Sequence, residues 1–196
     1  MTLVLLDTNA YLRLAKRIKP LLGVKFGQKE YQLTILKAVE EEVRRSKRLR
    51  FKYPWFEDHA LAAERLAKQV RLSKDEKAQI EAMQSVLRAH VMENKIAYTT
   101  GYRSPPSPTD CFCLAFGQVR PAIVVTDDLG MHKLAKDFEL HVWYGHELLK
   151  KMLTGKIIDR TLVVEIYEAL EVNEDIDEGW RAAKHKAFKK IFGPKT

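Results

Sequence analysis

Two short apolar runs in this chain each end in carboxylates, and those carboxylates are where chemistry is to be sought. LVLL at 3–6 leads into Asp7, and AIVVT at 122–126 leads into Asp127 and Asp128. Continuous apolar runs of this length, bounded by turn formers, read as buried strands of a parallel sheet. In open α/β sheets ligands bind outside the carboxyl ends of the strands. Acids far apart in sequence are therefore delivered to one sheet edge. A third acid, Asp110, falls in the first turn of a helix expected after the proline-rich stretch 104–108, and a fourth is available among Glu40, Glu41 and Glu42. Carboxylates gathered without His or Cys partners repel one another unless a cation neutralises them, and they suit a hard, oxygen-preferring ion, Mg²⁺ or Mn²⁺. One or two such ions activate water and steady a leaving oxygen in phosphodiester cleavage.

Each acid also has an ordinary structural role open to it. Asp7 suits a helix cap, and Asp110 suits the third helical position of a capping box opened by Ser107. Asp127 and Asp128 suit turn and cap positions. Any of Glu40–Glu42 suits a solvated helix face. The catalytic reading rests on the set and its order rather than on one member.

The elements that must position these groups follow from periodicity. A helix is expected over 10–18, ended near Pro20; another over 37–49, with Val39 and Val43 on one face; and two more over 60–70 and 75–93. In the last of these Ile80, Met83, Val86 or Leu87, and Val91 recur at helical spacing. Ser107 followed by Pro108 opens a helix through Val119. A further helix covers 131–138, and 140–143 reads as a third strand. Strands alternating with helices predict an α/β fold with a central, mainly parallel sheet. Segment 151–196 reads as all-helical, with Trp180, Ala183, Ala187, Phe188 and Ile191 forming an apolar stripe that suits core packing.

Composition bounds the class. The chain has 196 residues, 46% hydrophobic and 31% charged, which is ordinary globular usage and excludes collagen-like and broadly disordered classes. Its apolar runs are far shorter than a membrane helix needs, no secretory signal is visible, and Cys111 and Cys113 stand too close in sequence to staple a fold. On a helix they diverge too far to share a metal. A reduced, cytoplasmic setting is the expectation. The formal charge of +8 points to a polyanionic partner. Six bases fall within 44–52 (Arg44, Arg45, Lys47, Arg48, Arg50, Lys52), and Arg181, Lys184, Lys186, Lys189, Lys190 and Lys195 follow Trp180 without an acid. Between them, 161–178 holds seven acids and no base, a stretch able to fold against a basic one in cis.

LVLLDTNAYL at 3–12, VEEEV at 39–43, SPTDCFCLA at 107–115 and VVTDDLGMHKLA at 124–135 together resemble the PIN-domain nucleases, including the VapC-like toxins of toxin–antitoxin pairs. In that family a strand ends in Asp followed by Thr or Ser and often Asn, here Asp7, Thr8 and Asn9. The family's V-x-x-E-[LV] form, laid on Val39 and Val43, selects Glu42. Asp110 matches the acid that opens a helix after a loop. The T-x-D form matches Thr126 and Asp128, with Asp127 at the middle position and still admissible as a ligand.

The resemblance implies a three-layer α/β/α nuclease domain over 1–150, with a helical insertion at about 50–100, and a helical extension over 151–196 packed on it. It implies a metal-dependent endoribonuclease, in the toxin members paired with an antitoxin protein. Asp7, Glu42, Asp110 and Asp128 would hold the ions, Thr8 or Thr126 would bind or orient through a hydroxyl, and Asn9 would fix a carboxylate from behind. Arg44, Arg45, Lys47 and Arg48, beyond Glu42 on the same expected helix, would contact phosphates. RNA is expected ahead of DNA, and a homodimer is left open. The insertion and the extension exceed the compact toxins. A haloacid-dehalogenase-type phosphatase would need Asp-x-Asp, and the third position here is Asn9. The rival of another class is a PIN-like module that binds nucleic acid or a partner with little hydrolysis.

Overall fold

The computed structural model describes residues 1–99 and 104–194. Five strands form one sheet: β1 (Thr2–Leu6), β2 (Lys25–Phe26), β3 (Tyr31–Thr34), β4 (Ala122–Val125) and β5 (Val142–Trp143). Their spatial order is β2-β3-β1-β4-β5, and every pairing is parallel except β2 with β3. Val4, Leu5 and Leu6 are consecutive and all buried, so both faces of the central strand are covered. The arrangement is a three-layer α/β/α fold, with α1 (Thr8–Leu14) following β1, α7 (Pro108–Val119) preceding β4 and α8 (Leu129–Asp137) following it.

The helical expectations hold in type and shift at their ends. α1 stops at Leu14. The helix expected over 37–49 is two, α2 (Lys37–Arg45) and α3 (Lys47–Lys52). Ser46 divides them: its backbone is extended (ψ 108°) and its hydroxyl accepts from Leu49 N at 3.2 Å, capping the second helix. Lys47 and Arg48 are therefore not on the helix that carries Glu42. A 3-10 turn (Pro54–Glu57), α4 (His59–Lys68), α5 (Lys74–Glu93) and the short α6 (Lys95–Tyr98) complete the insertion. α5 buries Ile80, Leu87 and Val91 and leaves Val86 in solvent. The strand expected over 140–143 shrinks to two residues, whereas β3, YQLT, carried no continuous apolar run to announce it.

α9 (Gly145–Thr154) runs across position 150, so a boundary there cuts a helix. α10 (Arg160–Val172) and α11 (Glu178–Lys186) follow, with the four-residue α12 (Lys189–Phe192). Tyr167, Trp180 and Phe188 from this segment join the same hydrophobic cluster as Leu6 and Tyr11. Part of the acidic stretch does fold against bases in cis: Glu171 meets Lys184, and Asp175 meets Arg13 and Lys52. Lys195 lies outside the described residues. Both cysteines are buried. Among the described residues no helix is long and apolar enough to cross a membrane.

Candidate active site

Parallel register brings the carboxyl ends of β1 and β4 side by side: Leu6 pairs with Val125, and Asp7 N donates to Val125 O at 3.0 Å. Asp7, only 2% exposed, caps α1, its Oδ1 accepting from Ala10 N at 2.6 Å. Asp128 caps α8, its Oδ1 accepting from Met131 N at 2.9 Å. Asp110 closes the capping box on α7, its Oδ2 accepting from Ser107 N at 2.7 Å while Asp110 N donates to Ser107 Oγ. Glu42 reaches in from α2, and its Oε2 accepts from the buried Thr8 hydroxyl. Each carboxylate thus has one oxygen held by a protein donor, a nearby helix amide for the three aspartates and the Thr8 hydroxyl for Glu42. The partners Oε1 of Glu42, Oδ1 of Asp110 and Oδ2 of Asp128 take no protein donor among the described residues. The capping role and the cluster coexist, because a carboxylate has two oxygens.

These acids act on one another electrostatically. Burial pushes the Asp7 carboxyl up to about 8, with the charges of Asp110 and Asp127 adding to it against hydrogen bonds from Thr126 and Ala10. Burial pushes Asp110 up to about 6; its bonds to Ser107 oppose this, and the charges of Glu42 and Asp128 reinforce it. Among the described residues no Lys, Arg or His forms an ion pair with Asp7, Glu42, Asp110 or Asp128. Thr126 is buried; its hydroxyl accepts from Asp128 N at 3.1 Å and has Asp7 and Met131 Sδ as acceptors in reach. Gly130 lets Pro106 close over this turn, since a Cβ there would stand 3.0 Å from both Asp128 Oδ1 and Pro106 Cδ.

Among the three adjacent glutamates, geometry separates Glu42 from its neighbours. Glu40 pairs with the fully buried Arg65 and with Arg44, and Glu41 pairs with Lys37 and Arg45. The donor chemistry fits a hard divalent ion: four carboxylates, among them Asp110 repelled by Glu42 and Asp128, with no ion-paired base among the described residues. The carboxylates are gathered but not closed, for among the described residues no three His, Cys, Asp or Glu side chains converge tightly enough to hold a metal as they stand.

The structure gives Asp127 and Asn9 surroundings other than the expected ones, and gives Arg44 and Arg45 acidic partners. Asp127 has protein donors on both its oxygens. Oδ1 accepts from Gly145 N at 2.8 Å; Oδ2 accepts from Trp180 Nε1 at 2.9 Å and pairs with Arg13. It anchors the C-terminal extension. Asn9 is exposed and donates to no carboxylate among the described residues; Thr8 fixes Glu42 in its place. Arg44 and Arg45 are tied to acids of their own helix, Glu40 and Glu41, and Arg44 also to Glu57. Lys47 and Arg48 are exposed with no carboxylate partner among the described residues.

Sequence reasoning missed Arg13, whose guanidinium meets Asp127, Asp175 and Asp177 and also donates to Asp175 O at 2.8 Å. Burial works against its charge, and the three carboxylates outweigh burial and hold it protonated. A basic residue on the apolar helix after Asp7 was the one available signal. His132 was missed as well: its Nε2 bonds Thr126 O at 2.9 Å, and its ring stacks on Tyr144 with centroids 3.7 Å apart.

No family model matches this chain, and no curated protein does. Among solved structures, the crystal structure of FitAcB from Neisseria gonorrhoeae is similar, at 13% identity and TM-score 0.43, covering 72% of this chain and 97% of that one. A likeness of that degree assigns neither family nor activity, and the functional reading stands on the site itself.

Proposed function

We propose that this chain is a metal-dependent phosphodiester hydrolase of the PIN-like type, an endoribonuclease whose ion is held by Asp7, Glu42, Asp110 and Asp128. The observation that carries the reading is the set of four carboxylates at one sheet edge, oriented by protein donors and, among the described residues, paired with no base. A divalent ion bound there supplies an activated water as nucleophile and positive charge for the leaving oxygen. The chain's own groups orient the donors. Thr8 turns Glu42 inward, and the helix amides of Ala10, Ser107 and Met131 fix Asp7, Asp110 and Asp128 with the second oxygen directed away from the cap. The buried Thr126 hydroxyl joins the β1 and β4 acids by serving Asp128 N and facing Asp7.

Incubation of the protein with end-labelled RNA and DNA in Mg²⁺, Mn²⁺ or EDTA tests the reading. RNA cleavage that needs the ion and disappears in Asp110→Asn is expected. If the chain acts as a toxin, its expression alone arrests growth, and Asp110→Asn relieves the arrest. The open set of carboxylates favours one rival, a module that binds nucleic acid without cutting it. Binding with no cleavage in either ion establishes that rival.

A further inference from the structure

We infer that α3 is a single-strand docking element in which Phe51 stacks on an unpaired base between cations that meet the flanking phosphates. This rests on the nucleic-acid reading above. Phe51 is 90% exposed and is the one aromatic among the large apolar side chains exposed in the described residues. Isolated exposed aliphatics are ordinary on a soluble surface; a phenyl ring on a helix whose other exposed residues are all basic is not.

The geometry of the short helix explains the arrangement. Successive residues diverge by about 100°. Leu49 packs against the core, which turns the opposite side of the helix outward. Lys47 and Phe51, one turn apart, share that outward ridge. Arg48 and Arg50 flank it on either side, and Lys52 turns back to Asp175. Lys47, Arg48 and Arg50 have no carboxylate partner among the described residues, whereas Arg44 and Arg45 on α2 do. The rings that follow are not available in the same way: Tyr53 and Trp55 are half-buried and meet edge to face at 5.9 Å.

The strip also starts close in the chain to the proposed site. Glu42 O accepts from Ser46 N at 3.0 Å, so α3 begins one helical turn beyond that acid. Three free cations give sequence-independent affinity for a phosphate chain. A ring in solvent adds affinity only for bases that are unstacked, because a duplex keeps its π-faces covered. Charge alone would bind duplex and single strand alike, so Phe51 is the group that discriminates.

Fluorescence anisotropy with a labelled single-stranded RNA of about 12 nucleotides and its duplex, both in EDTA, tests this independently of cleavage. Phe51→Ala is expected to weaken single-strand binding about five- to hundredfold, leave duplex binding unchanged and leave the salt dependence as steep as in the parent. Phe51→Trp retains single-strand affinity. Lys47→Gln and Arg50→Gln each flatten the salt slope by about 0.7 on single strands. Equal affinity in Phe51→Ala, an equal loss on duplex, or a parent that binds no single strand overturns the inference. So does a dimer that Phe51→Ala dissociates without altering RNA binding, which makes the ring a self-association contact. Single-strand binding through Phe51 without cleavage in any ion retires the hydrolase and leaves this site standing. Ion-dependent cleavage with no Phe51 effect does the reverse.

Discussion

Asp127 and Asp128 are neighbours on one turn, yet they belong to opposite kinds of electrostatic environment. Asp127 has three donors on two oxygens, one of them the cationic Arg13 and another the buried Trp180. Asp128 has one helix amide on one oxygen, and its charge bears on Asp110. The first arrangement satisfies a buried charge and holds the extension to the core. The second keeps an oxygen uncommitted and leaves the mutual repulsion of the cluster unrelieved, which is stability forgone. Structural groups are expected to be saturated, and groups that bind a ligand must retain unused capacity. The contrast separates an acid with a structural role from one proposed to bind an ion.

That contrast can be broken by mutation, and the largest expected effect is on catalysis. Asp110→Asn keeps an oxygen for Ser107 N and removes one charge from the cluster. RNA cleavage should fall about a hundredfold or more, since a bound ion contributes several kcal/mol at the transition state. Its thermal midpoint in EDTA should not drop; a matching drop would make Asp110 structural. Asp127→Ala should do the opposite. It leaves Arg13 without its closest partner in a largely buried position, a loss of about 3–5 kcal/mol in urea denaturation. A neutral Asp127→Ala would dissolve the distinction between the two regions.

A smaller effect follows from protonation. The Asp110 carboxyl sits at about 6 rather than the ordinary 3.8, so the folded protein binds that proton more tightly than the unfolded chain. The stability this lends is complete below about pH 4 and is lost as pH rises to about 6. Without metal, Asp110→Asn should therefore gain stability over the parent across that window and gain no more above it. A difference that stays flat from pH 4 to 7 would count against a strained Asp110.

The smallest effect sharpens the Asp127 side. A Cβ at Gly145 would stand 2.8 Å from both Asp127 Oδ2 and Trp180 Cζ2. Gly145→Ala should cost about 1–3 kcal/mol by overpacking and shift Trp180 fluorescence, while ion-dependent cleavage at permissive temperature persists. Unchanged stability and emission would show that this junction has slack.

Much of the frame was legible in the residue order, and the failures share a cause. β1 and β4 announced themselves as unbroken apolar runs, and α7 as Ser107-Pro108 with an acid at the third helical position. The strand YQLT did not, because only Leu33 and Thr34 are buried on a strand near the sheet edge. The break at Ser46 was hidden because a serine is tolerated inside a helix, and only the packing of Leu49 and the cap on its amide set the new direction. The family's V-x-x-E-[LV] form pointed to Glu42, and helical spacing supplies both partners of Glu41, but the buried Arg65 that holds Glu40 comes from 25 positions away, where spacing does not reach.

The order of residues by itself determined that carboxylates follow strands and open helices, because backbone periodicity and capping are local effects. It left Asp127 and Asp128 interchangeable, as two identical side chains on one turn must be. Their separation was decided by Arg13, Gly145 and Trp180, positions spread along the chain that meet only once the extension packs against the sheet. Whether a buried charge is satisfied or left reactive depends on which donors surround it in space, and that is a property of the folded molecule alone.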